Sequence, residues 1–167
     1  GYASDTAATA GAASLALDLL DDGTTTRDSF GIIDALDALG AQITTGSSLD
    51  LSFVRLRALT SNLRPSLAVY ADVILRPSFP QAMVDLAKQR RITQIAQEKV
   101  QPVGLAQRVL APLLYGPEHP YGAPFTGTGY ERTVSAVTQA QLRAWHQAWF
   151  KPGSATLIVA RSEEHTS

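Results

Sequence analysis

Apolar residues recur along this chain mostly at helical spacing, with one stretch of strand-like alternation. Residues 12–22 predict a first helix that stops at Gly23, a residue suited to the position after a helix end. Leu15, Ala16, Leu17, Leu19 and Leu20 cover most of its circumference, which places it in the core. Its polar exceptions are ordered: Ser14, Asp18, Asp21 and Asp22 fall at i, i+4, i+7 and i+8, a single helical face. A second helix is expected over 27–39, capped by Thr25 or Thr26, ended by Gly40 and buried through Phe30, Ile33, Leu36 and Leu39.

The segment AQITTGSSLDLSFVRLRAL predicts a hairpin turning at or near Gly46-Ser47-Ser48. Its second strand changes phase, with Leu51 and Phe53 on one face and Val54, Leu56 and Ala58 on the other. A bulge, or cover on both faces, would account for that. Asn62 is placed to cap a third helix, with Pro65 in its first turn and Leu63, Leu67, Tyr70, Ala71 and Ile74 on its apolar spacing, until Pro77 stops it. Pro80 opens a long fourth helix that ends before Pro102, and a fifth covers about 103–114. YGPEHPYGAPFTGTGY reads as a loop, TQAQLRAWHQAWF as a last helix capped by Thr138, and Ala155–Ala160 (ATLIVA) as a buried strand. Helices outnumber strands and no βαβ alternation appears, so the fold class is α+β, with helices packed on one face of a mainly antiparallel sheet.

Composition narrows the function classes. Of the 167 residues 45 % are hydrophobic and 17 % charged, values of a globular chain. The net charge of −1 gives no electrostatic ground for a nucleic-acid partner. No apolar run reaches the roughly 20 residues that span a bilayer, because Asp18 and Asp21–Asp22 interrupt the longest. The first ten residues carry neither the basic nor the apolar region of a signal peptide. With no cysteine there is no disulfide and no thiolate site, which suits cytoplasm and periplasm equally. The tail RSEEHTS, Arg161–Ser167, reverse-translates to AGA TCG GAA GAG CAC ACG TCT, the start of a common short-read sequencing adapter. It is expected to be read-through, not native protein, and resequencing the source locus tests this.

The usual catalytic signatures are missing: no GxSxG elbow, Walker loop, dinucleotide fingerprint or HExxH occurs. His119 lies in a Pro/Gly loop and His146 among Trp145, Trp149 and Phe150, where an imidazole more often caps or packs than catalyses. The acids on the first helix read either as a solvated face or, as Asp18 and Asp22 with Glu98, as oxygen ligands for a hard cation.

Order and spacing of many pieces over about 11–160 resemble the N-terminal domain of insulinase/pitrilysin-type zinc peptidases, which include the mitochondrial processing peptidases. Gly11-Ala12-Ala13 and Gly23-Thr24 bracket the family's motif helix, Leu39-Gly40-Ala41 enters its hairpin, and LAVYADVILRPSFP resembles the helix and Pro-rich corner before its long helix. RRITQIAQEKVQP matches the segment bearing a distal Glu ligand, and YGPEHPYGAPFTGT with AWHQAWFKPGSATLIV resembles the close of the domain. Residues 1–10 are then a shortened lead-in, and the domain is incomplete at both ends.

Catalytic members carry Gly-x-Ala-His-x-x-Glu-His, two zinc-binding imidazoles one helical turn apart and a Glu that activates the metal-bound water. Aligned on the flanking glycines, those positions are Ser14, Leu17 and Asp18 here, so both histidines and the base are absent. The distal ligand position keeps a carboxylate, Glu98, while an acid often found seven residues earlier is Arg91. The resemblance therefore implies a chain with no catalytic residues and no metal of its own. Its implied partner is a homologous half or subunit that carries the zinc motif, and together they close a chamber around an extended peptide. Asp18, Asp21 and Asp22 are the candidate peptide contacts. Two other readings remain: an active metallopeptidase with atypical ligands Asp18, Asp22 and Glu98, and a purely structural assembly module.

Overall fold

The structure, a computed structural model, describes residues 1–161. Its elements are α1 (Ala12–Asp18), α2 (Ser29–Leu39), β1 (Gln42–Ser47), β2 (Ser52–Arg57), α3 (Leu63–Leu75), α4 (Gln81–Val100), α5 (Pro102–Tyr115), α6 (Glu131–Ala136) and α7 (Gln139–Trp149). The β1–β2 hairpin is an antiparallel pair, in uninterrupted register from Gln42↔Arg57 to Ser47↔Ser52. It packs one face against the helices. The fold is α+β, as the pattern predicts.

The centre is α1, whose Leu15, Ala16 and Leu17 are almost completely buried. Around it pack Ile32 and Leu36 of α2, Ile43 of β1, Val69 and Val73 of α3, Val84 of α4 and Leu142 of α7. A helix so enclosed cannot be stable through its own seven residues and holds its shape by tertiary packing.

Several expectations shift. α1 ends at Asp18, not Asp22: Leu19 leaves helical geometry, and Leu19 and Leu20 both turn fully into the core. Asp21 and Asp22 therefore sit in a turn and not on a helical face. α2 starts later because Asp28, whose carboxylate accepts from the Gly31 N–H at 2.8 Å, takes the cap in place of Thr25 or Thr26. That start buries Ile32 and Leu36 and leaves Phe30 and Ile33 exposed. β2 has no bulge. Val54 and Leu56 face the core, while Phe53 lies outward across Gly46 with the Arg55 guanidinium over its ring. The glycine serves that ring, and the turn itself comes later, closed by Ser48 N–H donating to Leu51 O.

Asn62 precedes α3 but does not cap it; its Nδ2 donates to Leu39 O and ties α3 to the end of α2. α3 buries Ser66, Val69, Asp72 and Val73, one step round from the expected face, with Leu63 and Leu67 outside. Ala155–Ala160 is not a strand: nothing pairs with it among the described residues, and Leu157, Ile158 and Val159 are exposed. The short α6 has no counterpart in the sequence reading. Thr138 caps α7 in a reciprocal box with Gln141, as expected. Of the expected read-through tail, residues 162–167 lie outside the described residues.

Candidate functional site

Ser14 and Asp18 lie one turn apart on α1, on the side that meets α4 and the loop 126–130. Leu17, at the position aligned with the family's catalytic base, points into the core with no exposure. Gly11, with a φ of 96°, starts α1 where the backbone of Thr128 and Gly129 crowds it; a Cβ there would stand 2.8 Å from Thr128 O. The loop thus lies directly on the helix start. Gly127 lies against the Tyr2 ring and the Ser14 hydroxyl.

The charged positions do not converge. Asp18 forms an ion pair with Arg91 of α4, whose side chain is 7 % exposed. Arg91 Nη1 is buried and has no hydrogen-bond partner among the described residues. Glu98, two turns along α4, accepts from Arg108 Nη1 of α5 at 2.8 Å and from Thr128 Oγ1 at 2.8 Å. Arg108 is itself buried, donates onward to Thr128 Oγ1 and Gly129 O, and lies over the Tyr130 ring. Asp18 and Glu98 are each engaged by an arginine of their own.

Asp21 and Asp22 do lie within electrostatic reach of Asp18. Burial raises the Asp21 carboxyl above the ordinary range, and the Asp18 charge adds to this. Asp22 is raised first by burial and then by Asp21, with Arg90 working against them. Beyond the turn, Thr24 is anchored on Asp72, a carboxylate with 1 % exposure that also accepts from Thr26 and pairs with Arg27 and Arg76. Burial alone would raise Asp72. The hydroxyls of Thr26 and Thr24 and the Arg76 and Arg27 guanidiniums outweigh it and hold the carboxyl below its usual range.

These donors do not fit zinc. The site offers one hydroxyl, one apolar side chain and two carboxylates already bound to guanidiniums, where zinc takes imidazole, thiolate or free carboxylate ligands. Among the described residues no three His, Asp or Glu side chains gather around a common point suited to a metal ion. The alternative set Asp18, Asp22 and Glu98 is accordingly not assembled, because Arg91 and Arg108 divide it. His119 Nδ1 accepts from the Tyr121 N–H and its ring stacks on Tyr115, a packing role. His146 is buried and its Nε2 meets Ile74 O at 2.7 Å.

The sequence reading noted Arg91 as a departure without seeing its partner. Arg108 and Thr128 were missed. No spacing rule links Glu98 to residues 10 and 30 positions later, and only the packing of α5 and the loop brings them together.

Comparison with known proteins agrees with this architecture. An uncharacterised zinc protease of Mycobacterium leprae is 29 % identical over 159 residues, 95 % of this chain and 35 % of that protein. One from Mycobacterium tuberculosis is 27 % identical over the same length. The chain thus spans about a third of the length of these relatives. Among solved structures, the inactive domain of a peptidase M16 from Pseudomonas fluorescens superposes with a TM-score of 0.77 at 29 % identity, over 83 % of this chain and 33 % of that one. A Helicobacter pylori protease shares the fold at a TM-score of 0.83 and 15 % identity, over 92 % of this chain and 36 % of that one. The sequence model of the insulinase family, peptidase family M16, matches residues 1–114, and the chain belongs to that family.

Proposed function

We propose that this chain is a non-catalytic insulinase-family domain, with residues 11–160 as its folded unit. In this reading it works beside a homologous half or subunit that holds zinc, closes the chamber with it, and helps hold an extended peptide for cleavage. The observation that carries the reading is the pairing of both acids at ligand positions with buried arginines: Asp18 with Arg91, Glu98 with Arg108. A guanidinium supplies fixed positive charge but neither Lewis acidity nor an activated water. Similarity to the inactive Pseudomonas fluorescens domain supports the same reading.

Metal analysis and a peptide-cleavage assay on the purified chain test it. The expected result is no stoichiometric zinc and no cleavage; bound zinc together with cleavage overturns the proposal. Asp18, Asp21 and Asp22 would contact basic parts of the peptide. Changing all three to Asn in the assembled complex should weaken peptide binding. Unchanged affinity would favour a pure assembly module, which the exposed apolar residues Val103, Leu110, Leu113 and Leu114 of α5 would suit.

A further inference from the structure

A second cleft lies away from α1, where the corner after α3 meets α7. It is an open cleft of about 430 Å³. Phe79 and His146 form its buried base, and Arg76, Arg143, Gln147 and Phe150 line it toward solvent.

Three features distinguish it from an incidental surface hollow. Phe79 has a φ of 48°, a left-handed conformation that a bulky side chain adopts only under constraint. The constraint is visible: Phe79 O accepts from Gln139 Nε2 at 2.6 Å and the neighbouring Ser78 O from Arg143 Nη2 at 2.9 Å, so α7 holds the corner in place. The result sets the Phe79 ring edge-on to His146, 6.1 Å between centroids, while Phe150 stacks on the same imidazole at 4.7 Å.

His146 is the second feature. Its Nε2 donates to Ile74 O, which leaves Nδ1 as an acceptor with no partner among the described residues. Burial lowers its basicity, with the Ile74 carbonyl opposing, and so favours the neutral ring that this tautomer requires. The third is charge. Asp72 forms ion pairs with Arg76 through its Nε and with Arg27, so that trio keeps a net positive charge, and Arg143 pairs with no carboxylate among the described residues.

A partly exposed aromatic ring, an N–H acceptor and two guanidiniums line one cleft and suit a peptide's C-terminal residue. We infer that this cleft binds the C-terminal residue of a peptide, with its apolar side chain against the partly exposed Phe150 ring, its carboxylate on Arg143 and Arg76, and its backbone N–H on His146 Nδ1. The inference rests on the proposed peptide-handling role only for its choice of ligand. The cleft is independent of whether the α1 site is active.

Calorimetric titration of the full chain with an acetylated tetrapeptide ending in Phe, against the same peptide as its C-terminal amide, tests this. The free acid should bind about tenfold or more tightly than the amide, as charge-assisted hydrogen bonds require. Arg143→Gln should remove that preference, and Gln147→Glu, a surface change that sets a like charge beside the carboxylate, should weaken the acid alone. Equal binding of acid and amide, or no binding of either at millimolar concentration, overturns the inference. So does binding of free phenylalanine as tight as the peptide, since that would make the cleft an amino-acid site. Zinc content and cleavage stay the measure of the α1 reading, so either conclusion can fail without the other.

Discussion

Two ionic networks flank the Gly23-Thr24 turn, and they are built with opposite polarity. At the Asp72 hub the anion is buried, with 1 % exposure, while its arginines reach solvent, 36 % for Arg27 and 57 % for Arg76. In the α1 cleft the cations are buried, with Arg91 and Arg108 both 7 % exposed; Asp18 stands 55 % exposed, while Glu98, at 13 %, is largely buried with its arginine. The hub anchors a turn by gathering donors round one carboxylate. The cleft places fixed positive charge beside Asp18 and Glu98. A buried charge that loses its partner is costly, whereas a partner that can return to water is not. The two regions should therefore respond to mutation in opposite directions.

The largest effect is expected at the hub. Replacing Arg27 and Arg76 together by Met strands Asp72 with hydroxyl partners alone, at a cost of about 3–5 kcal/mol in urea denaturation. Asp72→Leu should cost less, since both arginines can turn to solvent. If the order is reversed, the hub is not organised round its anion.

In the cleft the carboxylates are the sensitive side. Glu98→Leu leaves Arg108 buried, with only Thr128 and Gly129 O to satisfy it, and should cost roughly 2–4 kcal/mol. The double change Glu98→Leu/Arg108→Leu should recover much of this, and the coupling energy from that cycle measures the pair. At the shallower pair, Asp18→Ala should cost about 1–2 kcal/mol, because Arg91 is buried but its partner already touches water. Arg91→Met should stay within about 1 kcal/mol of wild type, since it also removes an Nη1 that has no partner among the described residues. A large loss on Arg91→Met would mean that the guanidinium, not the apolar packing of its stem, holds α4 against α1.

How much of this the sequence could disclose follows from the range of each interaction. Helix spacing, proline stops and the Thr138 cap are local, and α4 and α7 match their predicted extents closely. The buried faces of α2 and α3 were displaced because the start of α2 depends on Asp28 and the face of α3 on Asp72, a carboxylate kept inside by residues 45 to 48 positions away. The alignment of Ser14, Leu17, Asp18 and Glu98 with the family's zinc motif rests on resemblance alone. The arginine partners were not legible, because Asp18 and Arg91 are separated by 73 residues and nothing in either segment names the other. The acids do not share one helical face for a simple reason: burying Leu19 and Leu20 requires the helix to end at Asp18.

Asp5 sharpens the comparison with a smaller effect, as a largely buried anion with no arginine. Its carboxylate accepts from the N–H groups of Gly11 at 2.9 Å and Ala13 at 3.2 Å, and so fixes the lead-in onto the start of α1. Burial pushes its carboxyl up to about 6, against the lowering effect of those N–H groups. Because this value lies above that of the unfolded chain, its contribution to stability is fully present below about pH 4 and is lost as pH rises through about 6. Asp5→Asn keeps an acceptor oxygen at the same place and cannot titrate. It should flatten the stability profile between pH 4 and pH 6 by on the order of 2 kcal/mol relative to wild type, and leave the profile below pH 4 parallel to it. Asp72 titrates the other way, its contribution present above the unfolded carboxylate range and lost as pH falls through its lowered value, so it should stay visible in the variant. An unchanged profile in Asp5→Asn would show that peptide N–H groups can stand in for an arginine at no electrostatic cost, and would remove the reason for the cleft to keep Arg91 and Arg108.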